Sequence, residues 1–114
     1  MEFVAAVRLC FRKYANPSGR APRAEYWYFF LFAVIVQVAL RLTVPMLAYV
    51  FDLGIFLPSL AVGVRRLHDI DRTGHWLWIG FVPVIGTILL IIWFCQPGDE
   101  GENRFGPPPD ALTV

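Results

Sequence analysis

At 114 residues, with 57% hydrophobic and 17% charged side chains, the chain is poor in charge for a soluble domain, in which about a quarter of residues are charged. So short a chain cannot enclose this much apolar surface without lipid, which excludes an ordinary soluble globule. The net charge of +1 is near neutral, and no nucleic-acid partner is expected.

The opening Met1-Glu2-Phe3 is not that of a secretory leader, because the early acid is followed by Arg8, Arg12 and Lys13, which interrupt any apolar core. In residues 2–15, Phe3, Val7, Phe11 and Tyr14 recur at helical spacing with those basic residues between them. The pattern predicts a short amphipathic helix. It can lie on the inner leaflet with its basic groups at lipid phosphates, or pack on the rest of the protein, and the two placements are compatible. Asn16-Pro17-Ser18-Gly19 then ends the helix.

Three apolar runs follow, near 26–44, 46–64 and 76–95. Each is about 19 or 20 residues long, or ~30 Å of helix, which matches the hydrocarbon core of a bilayer. A polar tail, 96–114, carries Asp99, Glu100, Glu102 and Asp110. The fold class expected is an all-α membrane protein: one multi-pass domain over 1–114, with about three transmembrane helices and the short amphipathic helix before them.

Basic residues set the expected orientation. Arg8, Arg12, Lys13, Arg20 and Arg23 precede the first run, and Arg65, Arg66 and Arg72 lie in the link before the third. Only Arg41 and Arg104, two of ten, fall elsewhere. Basic residues beside spans stay in the cytoplasm, so the amino terminus and the 65–74 link should face inward. Three crossings would then put the carboxyl terminus in the periplasm. Tyr26, Trp27, Tyr28, Trp76 and Trp78 should mark the inner boundary, where amphipathic rings sit at headgroup level.

The apolar runs have polar interruptions. Arg41 and Asp52 flank the turn at Pro45, and an unpaired charge at that depth costs a few kcal/mol, so the two should pair across the hairpin. A substrate or proton site is the competing reading. Gln37 suits a helix–helix hydrogen bond. Pro58 and Gly63 interrupt the second run, and Pro83 and Gly86 the third. Such breaks are common in membrane helices and also occur at transport sites. A variant bends the third run into a re-entrant hairpin at Pro83–Gly86, which would return the tail to the cytoplasm. Cys10 and Cys95 read as packing cysteines, not as a disulfide or metal pair.

Three polar stretches remain: Gly19-Arg20-Ala21-Pro22-Arg23-Ala24-Glu25-Tyr26-Trp27, Arg65-Arg66-Leu67-His68-Asp69-Ile70-Asp71-Arg72-Thr73-Gly74-His75-Trp76, and Gly98-Asp99-Glu100-Gly101-Glu102-Asn103-Arg104-Phe105-Gly106-Pro107. In this order they resemble the bacterial family called domain of unknown function 805. The resemblance implies a small inner-membrane protein of about three helices and brings no activity, substrate or catalytic residue. The chain departs from the family pattern at Pro17, where an aromatic residue is usual. It departs again at Thr73-Gly74-His75-Trp76, where paired tryptophans follow Ser-Gly, and in a short outer loop around Pro45.

The inner face should gather Arg20, Arg23, Arg65, Arg66 and Arg72 with Glu25, His68, Asp69 and Asp71. Guanidinium groups bind phosphate bidentately, so anionic membrane lipids, another membrane protein or a small phosphorylated ligand are natural partners. Alternatively, the acids clamp the arginines into an internal network. His68 beside Asp69 lacks the further ligands and the nucleophile that a metal or catalytic site needs. No cofactor and no enzymatic activity are expected. The leading reading is a lipid- or partner-binding inner-membrane protein, and the alternative is a subunit of an oligomeric transporter or channel.

Overall fold

Val44 is the hinge of the molecule. The residue before a proline is pushed out of the helical region, and Val44 is extended, at φ −133°. It ends α2 (Arg23–Thr43), and Pro45 at once starts α3 (Pro45–Asp69), where its missing N–H costs nothing in the first turn. The computed structural model describes residues 2–107; Asp110 and the rest of the tail's end lie outside the described residues. Helix α2 has 21 residues and α3 has 25, and both are long and apolar enough to cross a membrane. They form an antiparallel hairpin, with Glu25 beside Arg65 at one end and Gln37 beside Asp52 towards the other. Helix α3 runs five residues beyond the expected span, so Arg65, Arg66, His68 and Asp69 are helical and not part of a link.

Helix α1 (Phe3–Arg12) packs across α2 and α3. Its Ala6 and Cys10 are fully buried, Phe3 meets Tyr28 edge-on, and Phe11 meets Phe29 and Phe32. This contact also repairs a defect in α3. Pro58 has no N–H for the carbonyl of Gly54 one turn earlier, and the Tyr14 hydroxyl donates to that same carbonyl. Helix α3 therefore passes through Pro58 without a break, since a freed carbonyl in a membrane needs a substitute donor.

The third apolar run departs from the single helix expected over 76–95. It consists of a 3-10 helix, Gly74–Phe81, and a separate α4 (Ile85–Cys95). Pro83 and Val84 separate them, Val84 holding a left-handed φ of +65°, a strained choice for a β-branched residue. Gly86 lies so close to the Ile79 carbonyl that a Cβ there would collide with it. The limbs fold back on each other, so Trp76 at the start of one and Trp93 at the end of the other pack with centroids 5.6 Å apart. Each limb is ~16 Å long, about half a bilayer's hydrocarbon thickness. The described structure thus has two helices of spanning length plus a helical hairpin.

That hairpin relocates the tail. Three crossings would place the tail at the end opposite the 65–74 region, and the re-entrant variant bent at Pro83–Gly86 would place it at the same end. Residues 98–106 pack against Arg20, His68, Asp69 and Asp71, so the described tail and the 65–74 region share one end of the molecule.

Candidate functional site

At that shared end, the three polar stretches tie into one knot. Arg20 lies just before α2, and each of its five N–H donors has an acceptor. Nε reaches Asp69 Oδ1 at 2.9 Å, Nη1 the carbonyls of Gly101 and Gly106 at 2.8 and 3.2 Å, and Nη2 those of Asp99 and Asp69 at 2.6 and 3.4 Å. Arg66 reaches in the other direction. It donates to Asp69 Oδ2 at 2.8 Å and to the carbonyls of Phe94 at 3.2 Å, Ala21 at 3.4 Å and Gln96. Both oxygens of Asp69 are therefore held, one by each arginine. The Asp99 N–H also donates to the Asp69 carbonyl at 2.8 Å, and Gly98 presses against its carboxylate so closely that any Cβ would overlap it.

The end of α4 is capped by the same groups. A helix C-terminus carries unpaired carbonyls and a partial negative charge, which cations and side-chain donors offset. Trp27 Nε1 donates to the Phe94 carbonyl at 3.0 Å and Arg23 to that of Cys95 at 2.9 Å, alongside Arg66. The hairpin of half-length limbs is thereby fastened to α2 and α3 by its own last turn. The tail closes the knot from outside. His68 Nδ1 lies 2.8 Å from the Gly19 carbonyl, and its ring stacks on Phe105 at 3.9 Å. Asn103 donates to the His68 carbonyl at 2.9 Å, and Arg104 to Asp71 at 3.1 Å. The Asp71 carboxyl is pulled up by desolvation, but Arg104 outweighs this and holds it below the usual range.

A second buried pair lies beside the first. Arg65 meets Glu25 at 2.6 Å with both side chains fully buried, and the Cys10 sulfur is 3.4 Å from the same carboxylate. Burial pushes the Cys10 thiol well up and the neighbouring carboxylate adds to this, so it stays protonated and donates. Arg65 Nε and Nη2 and Glu25 Oε1 have no hydrogen-bond partner among the described residues.

The five arginines grouped by sequence thus divide. Arg20, Arg65 and Arg66 are at most 3% exposed, and their charges are spent on Asp69, Glu25 and carbonyls. Of the two placements open from sequence, these three take the internal one, clamped by the acids and the tail. Arg23 is exposed, and Arg72 is half-buried outside the knot. The Arg72 guanidinium lies 4.2 Å from the Trp93 ring centroid and 5.7 Å from that of Trp76, with no hydrogen-bonded partner among the described residues. Towards the other end of the hairpin, Gln37 donates to Asp52, and Arg41 stands 3.7 Å from Asp52 with both charged side chains about half exposed.

Sequence reasoning names Tyr14 only in the amphipathic pattern, Cys10 only as a packing cysteine, and Asn103 and Phe105 only within the third polar stretch, with no contact assigned to any of them. For Tyr14 half a signal existed, since Pro58 predicts an orphan carbonyl at Gly54. The donor comes from a distant helix and has no local mark. Among the described residues, no group of three His, Cys, Asp or Glu side chains converges to hold a metal ion.

The stretches that build the knot are also those by which the chain matches known proteins. Residues 14–107 match the family described as protein of unknown function DUF805. The chain belongs to that family. Inner membrane protein YhaI of Escherichia coli is 45% identical over 105 residues, covering 86% of this chain and 89% of the relative. Inner membrane protein YhaH of the same organism is 39% identical over 109 residues, covering 86% and 90%. No solved structure matches the chain. This DUF805 member is a membrane protein by composition, by its two long apolar helices and by the inner-membrane location of its relatives.

Proposed function

We propose that the protein is a non-enzymatic inner-membrane protein that holds anionic phospholipid headgroups at the cytoplasmic leaflet. The basic groups that are not buried in the knot do the holding: Arg8 and Arg12 of α1, Lys13 just after it, Arg23, which also reaches the Cys95 carbonyl, and Arg72. The observation that carries this reading is Arg72, whose guanidinium lies against the Trp93 ring and beside Trp76 with its donors unspent among the described residues. Such a guanidinium is orientated but retains the capacity to grip a phosphate. Each exposed arginine or lysine near an anionic surface contributes about 1 kcal/mol, so several together retain a lipid.

On this reading the knotted end is cytoplasmic. The shared end then carries Arg20, Arg23, Arg65, Arg66, Arg72 and Arg104, which strengthens the bias for inward placement. Both the amino terminus and the carboxyl terminus lie in the cytoplasm, and α4 returns without crossing. A fluorescent reporter fused after Val114 should be active, and a periplasm-dependent phosphatase at the same position inactive; the reverse pattern removes this topology. For binding, co-purifying anionic phospholipid should fall markedly in folded Arg23→Ala with Arg72→Ala. Unchanged retention removes the headgroup role.

A further inference from the structure

The hairpin made by the 3-10 helix and α4 reaches only ~16 Å along α2 and α3, which are about twice that length. The outer half of one face of the α2–α3 pair therefore has no third helix against it. A groove of about 220 Å³ runs there, lined by Phe30, Val34 and Gln37 of α2 and by Phe51, Asp52 and Ile55 of α3. The molecule is only 20 Å across its thinnest direction, about two helix diameters, so this face is open and flat.

The open face is not simply apolar. Asp52 lies two turns into α3, ~10 Å below the outer turn, and Gln37 lies at a similar depth in α2. The Asp52 and Arg41 side chains are 43% and 56% exposed. Acyl chains offer nothing to any of these groups, and a charge left facing lipid at that depth costs a few kcal/mol. A covering surface must bring one positive charge, one negative charge and hydrogen-bonding groups at this same depth.

A second copy of the chain brings that set. We propose that the α2–α3 face bearing Gln37, Arg41 and Asp52 is the interface of a two-fold homodimer. Rotation about an axis normal to the membrane keeps every residue at its own depth, so Arg41 of each copy meets Asp52 of the other. A two-fold interface must be self-complementary, and a face with one charge of each sign and no net charge satisfies that. Val34 and Phe30 pack near the axis, and hydrogen bonding between the polar groups adds to van der Waals association in lipid. Two copies then supply the helix layer that the short hairpin leaves out.

The test uses the full chain in vesicles of phosphatidylethanolamine and phosphatidylglycerol, at low protein-to-lipid ratio and in a Cys95→Ser background. Val34 lines the groove, while its exposed neighbour Ile35 points about 100° away at the same depth. Under mild oxidation, Val34→Cys should form a covalent dimer and Ile35→Cys should not. Equal cross-linking of both, or none at Val34→Cys, overturns the proposal. Charge variants test the reciprocity independently of folding. Arg41→Glu alone and Asp52→Lys alone should each lose dimers, counted by single-molecule photobleaching. Mixing the two differently labelled variants should restore mixed dimers, because each copy then carries the charges that the other lacks. No recovery on mixing, or a monomeric wild type, overturns it as well.

Discussion

The two ends of the α2–α3 hairpin handle charge in opposite ways. At one end, Asp69 is nearly fully buried and both its oxygens are held by arginines, one of which has every donor engaged. At the other, Asp52 and Arg41 are about half exposed, 3.7 Å apart, with one glutamine between the helices. A buried network that is fully satisfied rigidifies a fold, and removing one member strands the others. A pair exposed at hydrocarbon depth leaves charge for its surroundings to meet. The knotted end is closed on itself, and the end nearer the Pro45 turn leaves its charges open.

Removing a carboxylate from each end should separate the two most sharply. Asp69→Ala leaves Arg20 and Arg66 buried without their counter-charge, so thermal unfolding in detergent should show a loss of about 3–5 kcal/mol. A change comparable to that of a surface mutation would mean that the knot is not closed. A smaller steric change probes the same knot, because the Asp69 carboxylate leaves no room for a side chain at Gly98. Gly98→Ala should cost roughly 1–3 kcal/mol, the usual penalty for overpacking, and should expose residues 98–106 to protease before the helices unfold. Tail protection unchanged from wild type would refute that packing.

Near the Pro45 turn, a double-mutant cycle of Arg41→Ala and Asp52→Ala in detergent should give a favourable coupling, because either single change leaves one charge unpaired at hydrocarbon depth. The double variant should lose less than the sum of the singles, and purely additive losses would show that the two are not partners. The smallest effect concerns pH at the Asp71–Arg104 tether. The Asp71 carboxyl is held below its unfolded value. Its contribution is therefore complete above the unfolded pKa and is lost as pH falls through the folded one. Acid titration followed by NMR should report local release of the Arg104 backbone N–H, and Asp71→Asn should abolish that step while leaving the helices intact.

Much of the architecture was legible before any coordinates. The hairpin of α2 and α3 follows from two long apolar runs around Pro45, and the pairing of helix ends puts Arg41 within reach of Asp52 by spacing alone. The third run reads either as a span or as a hairpin bent at Pro83–Gly86, because length and hydropathy cannot distinguish a crossing helix from two half-length limbs. That decision came from Val84 in a left-handed conformation and from Gly86 against the Ile79 carbonyl, neither of which changes the apolar count. The arginine cluster was found as a set, yet sequence left open whether it faces lipid or the protein interior.

Composition and order of residues by themselves determined that the chain is a helical membrane protein with eight of its ten basic residues before the first apolar run or between the second and third, because hydrophobic run length and charge asymmetry are local, additive properties. Only the tertiary structure decided which arginines are consumed, which end receives the tail and which face is left uncovered. Those outcomes depend on where acceptors from residues far apart in the chain converge: Asp69 with Asp99 and Gly101, Arg66 with Phe94, Tyr14 with Gly54. A guanidinium reads the same in sequence whether its hydrogen bonds end on a carbonyl or on a phosphate, and the fold chooses between them.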